Sequence, residues 1–209
     1  MVSHDSSGYC WNSGEYTHAH AYLLPTVINI LNSLQAKNDK RLFDLGCGNG
    51  SVAHHLKEGG WKVTGVDPSI QGIEQANIEY PDLNLNMGSA YDDLFNQYGA
   101  FPVVLSLEVV EHLYSPREYA KTLFNLTEKG GVAIVSTPYH SYFKNLALAF
   151  TGKMDAHFTV LWNHGHIKFW SIRTLSMLLE EVGFRNIHFY RTGRIPVLAK
   201  SMVAVAKKP

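Results

Sequence analysis

The chain has 209 residues, of which 45% are hydrophobic and 17% charged, which is typical of a globular domain with a sizeable core. Its 18 Lys and Arg residues balance 18 Asp and Glu residues, so no net charge attracts nucleic acid or an anionic membrane. Two cysteines, Cys10 and Cys47, are too few for a disulfide framework. The first residues lack a signal-peptide pattern, and no apolar run reaches the ~20 residues of a membrane span. We therefore expect a single cytoplasmic domain over 1–209 with no nucleic-acid partner.

The periodicity of apolar residues predicts the elements in chain order. Apolar residues at a spacing of three to four predict a helix from Tyr22 to Leu34, within an N-terminal segment over 1–36. Beyond it, short apolar runs alternate with helical patterns, several of which stop at glycines. The predicted strands are 41–45, 61–67, 83–90, 101–110, 132–138, 186–192 and 200–206. The predicted helices are 51–58, 69–80, 115–131 and 171–184.

The alternation of strands and helices indicates the fold class. Several strands are apolar on both faces, which favours a parallel sheet covered by helices on both sides. The last two strands are joined by the short link 193–196, which predicts an antiparallel hairpin at one edge. Residues 139–170 show no regular period but are rich in aromatic and aliphatic side chains. We expect them to form an irregular insertion on an otherwise mostly parallel α/β fold.

A glycine-rich turn follows the first strand, in the sequence Asp44-Leu45-Gly46-Cys47-Gly48-Asn49-Gly50. Glycines there let the backbone turn tightly and approach a ligand, and the next helix offers free N–H groups. A nicotinamide-binding turn would carry its third glycine at position 51, which is Ser51. The G-x-G-x-G spacing between a strand and a helix instead resembles motif I of the class I S-adenosylmethionine-dependent methyltransferases.

An aspartate at the end of the next strand supports the same resemblance. Asp67 lies about 20 residues beyond Gly46, where dinucleotide-binding folds place a carboxylate that accepts the ribose hydroxyls. The alternative interpretation is that Asp67 only caps the helix that opens at Pro68. An acidic residue that the family often places after the third strand is absent here, and Ser89 stands in its position.

The resemblance implies a Rossmann-like seven-stranded sheet in the order 3-2-1-4-5-7-6, with S-adenosylmethionine as the cofactor. Asp44 and the glycines would surround its methionine portion, and Asp67 would hold the ribose. Leu107 would offer backbone groups to the methionine ammonium, and Ile70 would lie against the adenine. The full set of residues expected around the cofactor is Asp44, Gly46, Cys47, Gly48, Gly50, Asp67, Pro68, Ile70, Ser89, Ala90 and Leu107.

The end of the fourth strand reads Leu107-Glu108-Val109-Val110-Glu111-His112. This resembles the L-E-V-x-E-H run of the ubiquinone-biosynthesis O-methyltransferases, and the resemblance covers most of 40–136. It implies that Glu108, Glu111 and His112 are ligands of a divalent metal, with magnesium favoured by the carboxylates. On a helix these positions would share one face. Alternatively, the glutamates only interact with a helix dipole, since many class I methyltransferases use no metal.

Histidines supply candidates for a general base on the acceptor side. His164 and His166 follow the fifth strand in LWNHGHIKFWS, where the similar O-methyltransferases carry a related element, and His166 is the preferred base. The alternative is a structural histidine that fixes a loop. His18 and His20 precede the first helix and are placed to close over the methionine end of the cofactor.

The insertion 139–170 is expected to form a lid or wall for an apolar or aromatic acceptor. The resemblance also implies that this insertion contacts a membrane surface if the acceptor is lipophilic. Against this, residues 139–162 contain only two cations, Lys144 and Lys153, that could bind anionic lipid. Together these features predict O-methylation of a phenol- or quinol-like small molecule. The alternatives are an N-methyltransferase of a small molecule and a non-catalytic regulatory module with the same fold. The oligomeric state is left open.

Overall fold

The computed structural model describes residues 19–34, 39–158, 160–163 and 165–209. Within these residues seven strands form one sheet in the order β3-β2-β1-β4-β5-β7-β6. The strands are β1 (Arg41–Leu45), β2 (Lys62–Asp67), β3 (Asn84–Met87), β4 (Phe101–Leu107), β5 (Thr127–Pro138), β6 (Arg185–Thr192) and β7 (Ser201–Lys207). Strands β1 to β5 pair in parallel, and β7 runs antiparallel to both β5 and β6. The predicted fold class, sheet order and closing hairpin are confirmed.

Helices cover both faces of this sheet. They are α1 (His20–Ser33), α2 (Ser51–Glu58), α3 (Ile70–Glu79), α4 (Leu94–Tyr98), α5 (Pro116–Leu126), α6 (Tyr142–Phe150), α7 (Met154–Phe158) and α8 (Ile172–Glu181). Local sequence sets several of their starts. Ser69 caps α3 by accepting a hydrogen bond from the Gly72 amide at 3.1 Å. Ser171 and Thr174 form a capping box at the start of α8, and Pro116 opens α5.

The core consists of two apolar clusters, one on each side of the sheet. Successive strand residues point to opposite faces, so Leu42 and Leu105 belong to one cluster, and Phe43 and Val104 to the other. Helices α1, α2 and α3 pack on the first side, whereas α4, α5 and α8 pack on the second. This explains why the central strands are apolar on both faces.

The predicted helix over 115–131 is too long. Helix α5 ends at Leu126, and β5 begins at Thr127, which pairs with Phe101 of β4. The glycines at 130 and 131 therefore lie inside the new strand, where the Gly130 amide donates to the Lys208 carbonyl at 2.9 Å. A Gly-Gly pair is compatible with either a helix stop or a bulged strand, and here pairing across the sheet decides between them.

The prediction that 139–170 is irregular is wrong in part, because α6 and α7 lie inside it. None of the described side chains of these two helices is buried. Helix α4 has only five residues, held at its start by the Asp93 side chain, and was not predicted either. The predicted fourth strand, 101–110, in fact ends at Leu107, because Glu108 has a φ of 55°.

Candidate functional site

A cavity of about 1090 Å³ opens at the carboxyl ends of the parallel strands. Asp44, Asp67 and Leu107, at or next to the ends of β1, β2 and β4, contribute to its wall. Strands β1 and β4 are neighbours in the sheet but not in sequence, so the chain leaves them in opposite directions. Ligands of open α/β sheets bind at such a switch point.

The glycine turn between β1 and α2 has the backbone that the sequence predicts. Gly46, Gly48 and Gly50 have φ angles of 91°, 53° and 77°, a region that favours glycine. A Cβ at Gly46 would lie 2.4 Å from Cγ2 of Val109, and one at Gly50 would lie 2.7 Å from Cδ1 of Leu85. Gly46 and Gly48 line the cavity, whereas Gly50, at the start of α2, is buried against Ala76 of α3 and Leu85 of β3.

Asp67 fixes this turn to the end of β2. Its Oδ2 atom accepts a hydrogen bond from the Gly48 amide at 2.8 Å, and its Oδ1 atom accepts one from the Ser69 amide at 2.8 Å. Ser69, not Asp67, is the capping residue of α3, so the alternative interpretation of Asp67 as only a helix cap is wrong. A carboxylate accepts up to about four hydrogen bonds, so these two amides are compatible with further bonds to ribose hydroxyls.

Asp44 lies at the floor of the cavity and is almost completely buried. Burial, with the charge of Asp67 as a second cause, raises the pKa of this carboxyl to about 7. Cys47, also in the wall, is a buried free thiol whose pKa is raised for the same reason. Near neutral pH the Asp44 carboxyl is therefore only partly ionised, whereas the Cys47 thiol keeps its proton.

The expected adenine end is formed by the loop after β3. Pro68, Ser89 and Ala90 line the cavity, while Ile70 is absent from its wall. The Ser89 hydroxyl accepts a hydrogen bond from the Tyr91 amide at 3.2 Å, and the Ser89 amide donates to Asp92 at 2.7 Å. Asp92 thus stabilises a turn in this loop, and Ser89 presents a short polar group to the cavity.

Glu108 follows β4 at the opposite end of the cavity. Its oxygens accept hydrogen bonds from the Ser136 hydroxyl at 2.8 Å and the Ser201 hydroxyl at 3.3 Å. Its amide donates to the Ser136 hydroxyl at 3.0 Å, which holds the backbone at its positive φ. Burial raises the pKa of Glu108 to about 7. A strained acidic residue in a cavity wall is a common feature of functional sites.

Glu111 and His112, the other two expected metal ligands, lie in a 3₁₀ turn over Val110–His112. The expected single helical face through 108, 111 and 112 is wrong, since Glu108 precedes the turn with a left-handed backbone. The carboxylate of Glu111 is buried, and among the described residues neither of its oxygens has a hydrogen-bond partner. Burial raises its pKa well above the usual range, and the neighbouring Glu108 adds to the effect.

His166 is brought to this turn by backbone hydrogen bonds. The Glu111 carbonyl accepts from the amides of Ile167 at 2.9 Å and Lys168 at 3.0 Å. The rings of His112 and His166 then lie 4.9 Å apart, and one ligand atom each from Glu111, His112 and His166 fall within 4.8 Å of one another. A buried carboxylate without a partner and two imidazoles suit a divalent cation. In this cluster His166 takes the place that the sequence prediction gave to Glu108.

His20 and His166 are the two histidines predicted near the cofactor or the acceptor that lie among the described residues. Burial, followed by the charges of neighbouring histidines, lowers the pKa of His166 to about 4, so its ring is neutral at physiological pH. His20 lines the cavity, and burial lowers its pKa to about 4 as well. His164 and His18 lie outside the described residues, as does Cys10.

Known proteins resemble the chain in both sequence and fold. A family model described as a methyltransferase domain matches residues 16–189. A ubiquinone biosynthesis O-methyltransferase of Caulobacter sp. is 36% identical over 126 residues, which is 58% of this chain and 48% of that protein. One from Hydrogenovibrio crunogenus is 25% identical, covering 82% of this chain and 72% of that protein. A SAM-dependent methyltransferase structure from Archaeoglobus fulgidus gives a TM-score of 0.69 at 18% identity, covering 89% and 93% of the two chains.

The chain belongs to the methyltransferase-domain family. The predicted likeness to ubiquinone-biosynthesis O-methyltransferases is confirmed. The chain spans about half the length of the first of these curated relatives.

Several wall residues of this methyltransferase-family domain were not predicted. Tyr22 of α1, Tyr91, Lys200 and Ser201 all line the cavity. The Tyr22 and Ser201 hydroxyls lie 3.1 Å apart although 179 residues separate them, and the Thr192 hydroxyl donates to the Tyr22 carbonyl at 2.7 Å. No local pattern could reveal such contacts, because they depend on the finished sheet.

The insertion 139–170 contributes Phe158, Val160 and Trp162 to the same cavity. Other apolar side chains of the insertion are exposed, among them Phe143, and Phe150 at 91%. None of the helices within the described ranges combines the length and the apolar character that crossing a membrane requires.

Proposed function

We propose that this methyltransferase transfers the methyl group of S-adenosylmethionine to a hydroxyl of a small phenol- or quinol-like acceptor. The observation that carries the proposal is the cluster of Glu111, His112 and His166, all within 4.8 Å, next to a cavity that also holds the glycine turn and Asp67. A hydroxyl needs a base or a cation to become a good nucleophile, and this cluster offers either. The names of the curated relatives support the same acceptor chemistry.

In this proposal different residues bind different parts of the cofactor. Gly46 and Gly48 let the backbone approach the methionine portion, Asp67 accepts hydrogen bonds from the ribose, and Leu107 offers backbone groups to the ammonium. Asp44 orients the turn from below. When bound, S-adenosylmethionine supplies an activated methyl group on its sulfonium, so the chain has to hold the two reactants in line and exclude water.

The acceptor hydroxyl lies on the Glu111 side in this proposal. His166 is neutral at physiological pH, so its ring nitrogen can accept the hydroxyl proton, but its pKa of about 4 makes it a weak base that suits only an acidic, phenol-like hydroxyl. If a divalent cation is held by Glu111, His112 and His166 instead, it lowers the pKa of the hydroxyl. The aromatic residues of the insertion, Phe158 and Trp162, would then cover the acceptor ring.

Methyl transfer to catechol and to aniline, measured by mass spectrometry, tests the acceptor chemistry. We expect an O-methylated product from catechol, and a loss of roughly 100-fold or more in the variant His166→Ala. The matched control is His188→Ala, since His188 is an exposed histidine of β6. Methylation of aniline alone would overturn O-methylation. Binding of S-adenosylhomocysteine without turnover of any acceptor would favour a non-catalytic module.

Treatment with a chelator separates the two roles of the cluster. Activity that survives the chelator assigns His166 as the proton acceptor. Activity that is lost and then restored by added Mg²⁺, Mn²⁺ or Zn²⁺ assigns the cluster as a metal site. In the second case Glu111→Gln should weaken the response to the cation, because the amide supplies a poorer ligand than the carboxylate.

A further inference from the structure

A second cavity of about 390 Å³ adjoins the first. The two share five wall residues, namely Pro138, Phe158, His166, Phe169 and Lys200. A molecule whose hydroxyl lies at His166 in the main cavity can therefore extend into this side cavity. The space is within the range of pockets that hold a small ring with its substituents.

The described wall of the side cavity carries cations but no acidic residue. Its charged members are Lys144, Arg194 and Lys200, and its histidines are His140, His157 and His166. None of the three cations takes part in the ion pairs formed among the described residues. Arg194 and Lys200 are exposed, where unpaired cations are common, whereas Lys144 is half-buried, and a charge held there is stabilised by an anionic partner.

Lys144 is the best positioned of these cations. It is half-buried, and its Nζ atom donates to the carbonyls of Tyr139 at 2.9 Å and Ala199 at 3.4 Å. An ammonium has three donors, so one remains for a ligand. Burial and the nearby Arg194 lower its pKa, which is the cost of holding this charge without a counter-ion. The carboxylate that acts on it most is Glu108, which is hydrogen-bonded to Ser136 and Ser201.

Apart from Thr151, the rest of the described wall is apolar. Ala147 and Leu148 come from α6, Phe158 from α7, and Leu198 from the turn before β7. The rings of Phe158 and Phe169 lie 4.8 Å apart and meet edge to face at 76°, which places aromatic surface beside the cations. An anionic head on an aromatic body matches both parts of this wall.

We infer that the methyl acceptor is a hydroxylated aromatic acid, whose carboxylate lies in the side cavity against Lys144 and Arg194. The inference rests on the proposed function, because it names the acceptor class of the same site. Lys144 holds the carboxylate through its remaining donor, and the exposed Arg194 and Lys200 add charge at the cavity rim. The acceptor hydroxyl then points towards His166 in the shared wall.

The test compares 3,4-dihydroxybenzoate with 3,4-dihydroxybenzamide, which have the same ring and hydroxyls but differ in charge. We expect kcat/KM to favour the acid by about tenfold to 100-fold, mainly through KM, as a charge-assisted hydrogen bond predicts. In Lys144→Met the ratio of acid to amide should fall close to one. Arg194→Gln should lower it severalfold, and because Arg194 is exposed this variant is not expected to disturb folding. The matched control is Lys121→Met, an exposed lysine of α5 that should keep the wild-type ratio.

Equal use of the acid and the amide by the wild type, or a ratio that neither variant changes, would overturn the inference. A binding titration of the same two compounds, in the presence of S-adenosylhomocysteine, needs no turnover. Tighter binding of the acid that Lys144→Met abolishes, without any methylation, would support the side cavity and contradict the proposed function. Turnover of neutral phenols without preferential binding of the acid would support the proposed function and contradict the role of the side cavity.

Discussion

Asp44 and Asp67 line the same cavity, but their surroundings give the two carboxyl groups different properties. Asp67 accepts hydrogen bonds from two backbone amides, which fix the position of its carboxylate. Asp44 is more deeply buried and feels the negative charge of Asp67, so its pKa rises to about 7. The same residue type thus anchors a turn at one position and lines a cavity floor at the other.

Replacement of Asp67 should separate cofactor binding from folding. In Asp67→Ala we expect the affinity for S-adenosylhomocysteine to fall at least tenfold, or about 1.4 kcal/mol, because the ribose acceptor and the anchor of Gly48 are both lost. Calorimetric titration measures this directly. The control is Asp82→Ala, an exposed aspartate that pairs only loosely with Lys57. Equal affinities of the Asp67 variant and the wild type would contradict the assignment.

Replacement of Asp44 should stabilise the ligand-free protein and weaken binding. In the unfolded chain this carboxyl loses its proton near pH 4, whereas in the folded state its pKa is about 7. Between these values ionisation favours the unfolded state, so the wild type loses stability as the pH rises from 4 to 7. Asp44→Asn removes this loss. Its stabilisation should grow between pH 5.5 and pH 8 by on the order of 1–2 kcal/mol.

Denaturant unfolding at the two pH values measures the effect of Asp44→Asn. Asp155→Asn, at an exposed position of α7, should show no such difference between pH 5.5 and pH 8. A variant that is less stable than the wild type at pH 8 would show that the Asp44 carboxyl makes a favourable contact in the folded state.

At the scale of elements, the turn between β1 and α2 depends on two separate properties of glycine. One is the positive φ, which Gly46 shares with Gly130. The other is the absence of a Cβ, which matters at Gly46 because of Val109 but not at Gly130, where a Cβ would meet nothing within 4 Å. A pair of matched substitutions can therefore distinguish backbone strain from steric overlap.

We expect Gly46→Ala to lower the free energy of unfolding by roughly 2–4 kcal/mol, since it adds overlap to the strain. Gly130→Ala should cost about 1–2 kcal/mol from strain alone. The double variant Gly46→Ala/Val109→Ala should recover part of the difference, as measured by chemical denaturation. Equal losses in Gly46→Ala and Gly130→Ala would show that Val109 moves aside at no cost.

The elements also show which parts of the molecule are predictable from sequence. The strands, the glycine turn and the position of Asp67 follow from short-range patterns, and the structure agrees with them except at the bounds of β3, β4 and β5. The grouping of Glu111, His112 and His166 does not, because it depends on amides of Ile167 and Lys168 that reach the Glu111 carbonyl. The family resemblance named Glu108 as a ligand, whereas its side chain here is hydrogen-bonded to serines of β5 and β7. Long-range hydrogen bonds of this kind leave no local signal.

At the scale of the whole molecule, the two apolar clusters share the strands between them. Neighbouring residues such as Leu42 and Phe43 bury their side chains in opposite clusters, so neither cluster can be lost while the strands remain intact. We expect one cooperative unfolding transition with coincident far- and near-ultraviolet circular dichroism curves. S-adenosylhomocysteine should raise its midpoint, because it binds only the folded state. Two resolved transitions would show that the faces of the sheet unfold independently.

The contact between Tyr22 and Ser201 has a consequence for the order of folding. The part of the cavity wall that α1 supplies is held by hydrogen bonds between Tyr22 and the hydroxyls of Thr192 in β6 and Ser201 in β7. Such a distant pairing forms late, since a long loop has to close first. We therefore expect the parallel strands to pair before this wall of the cavity is complete.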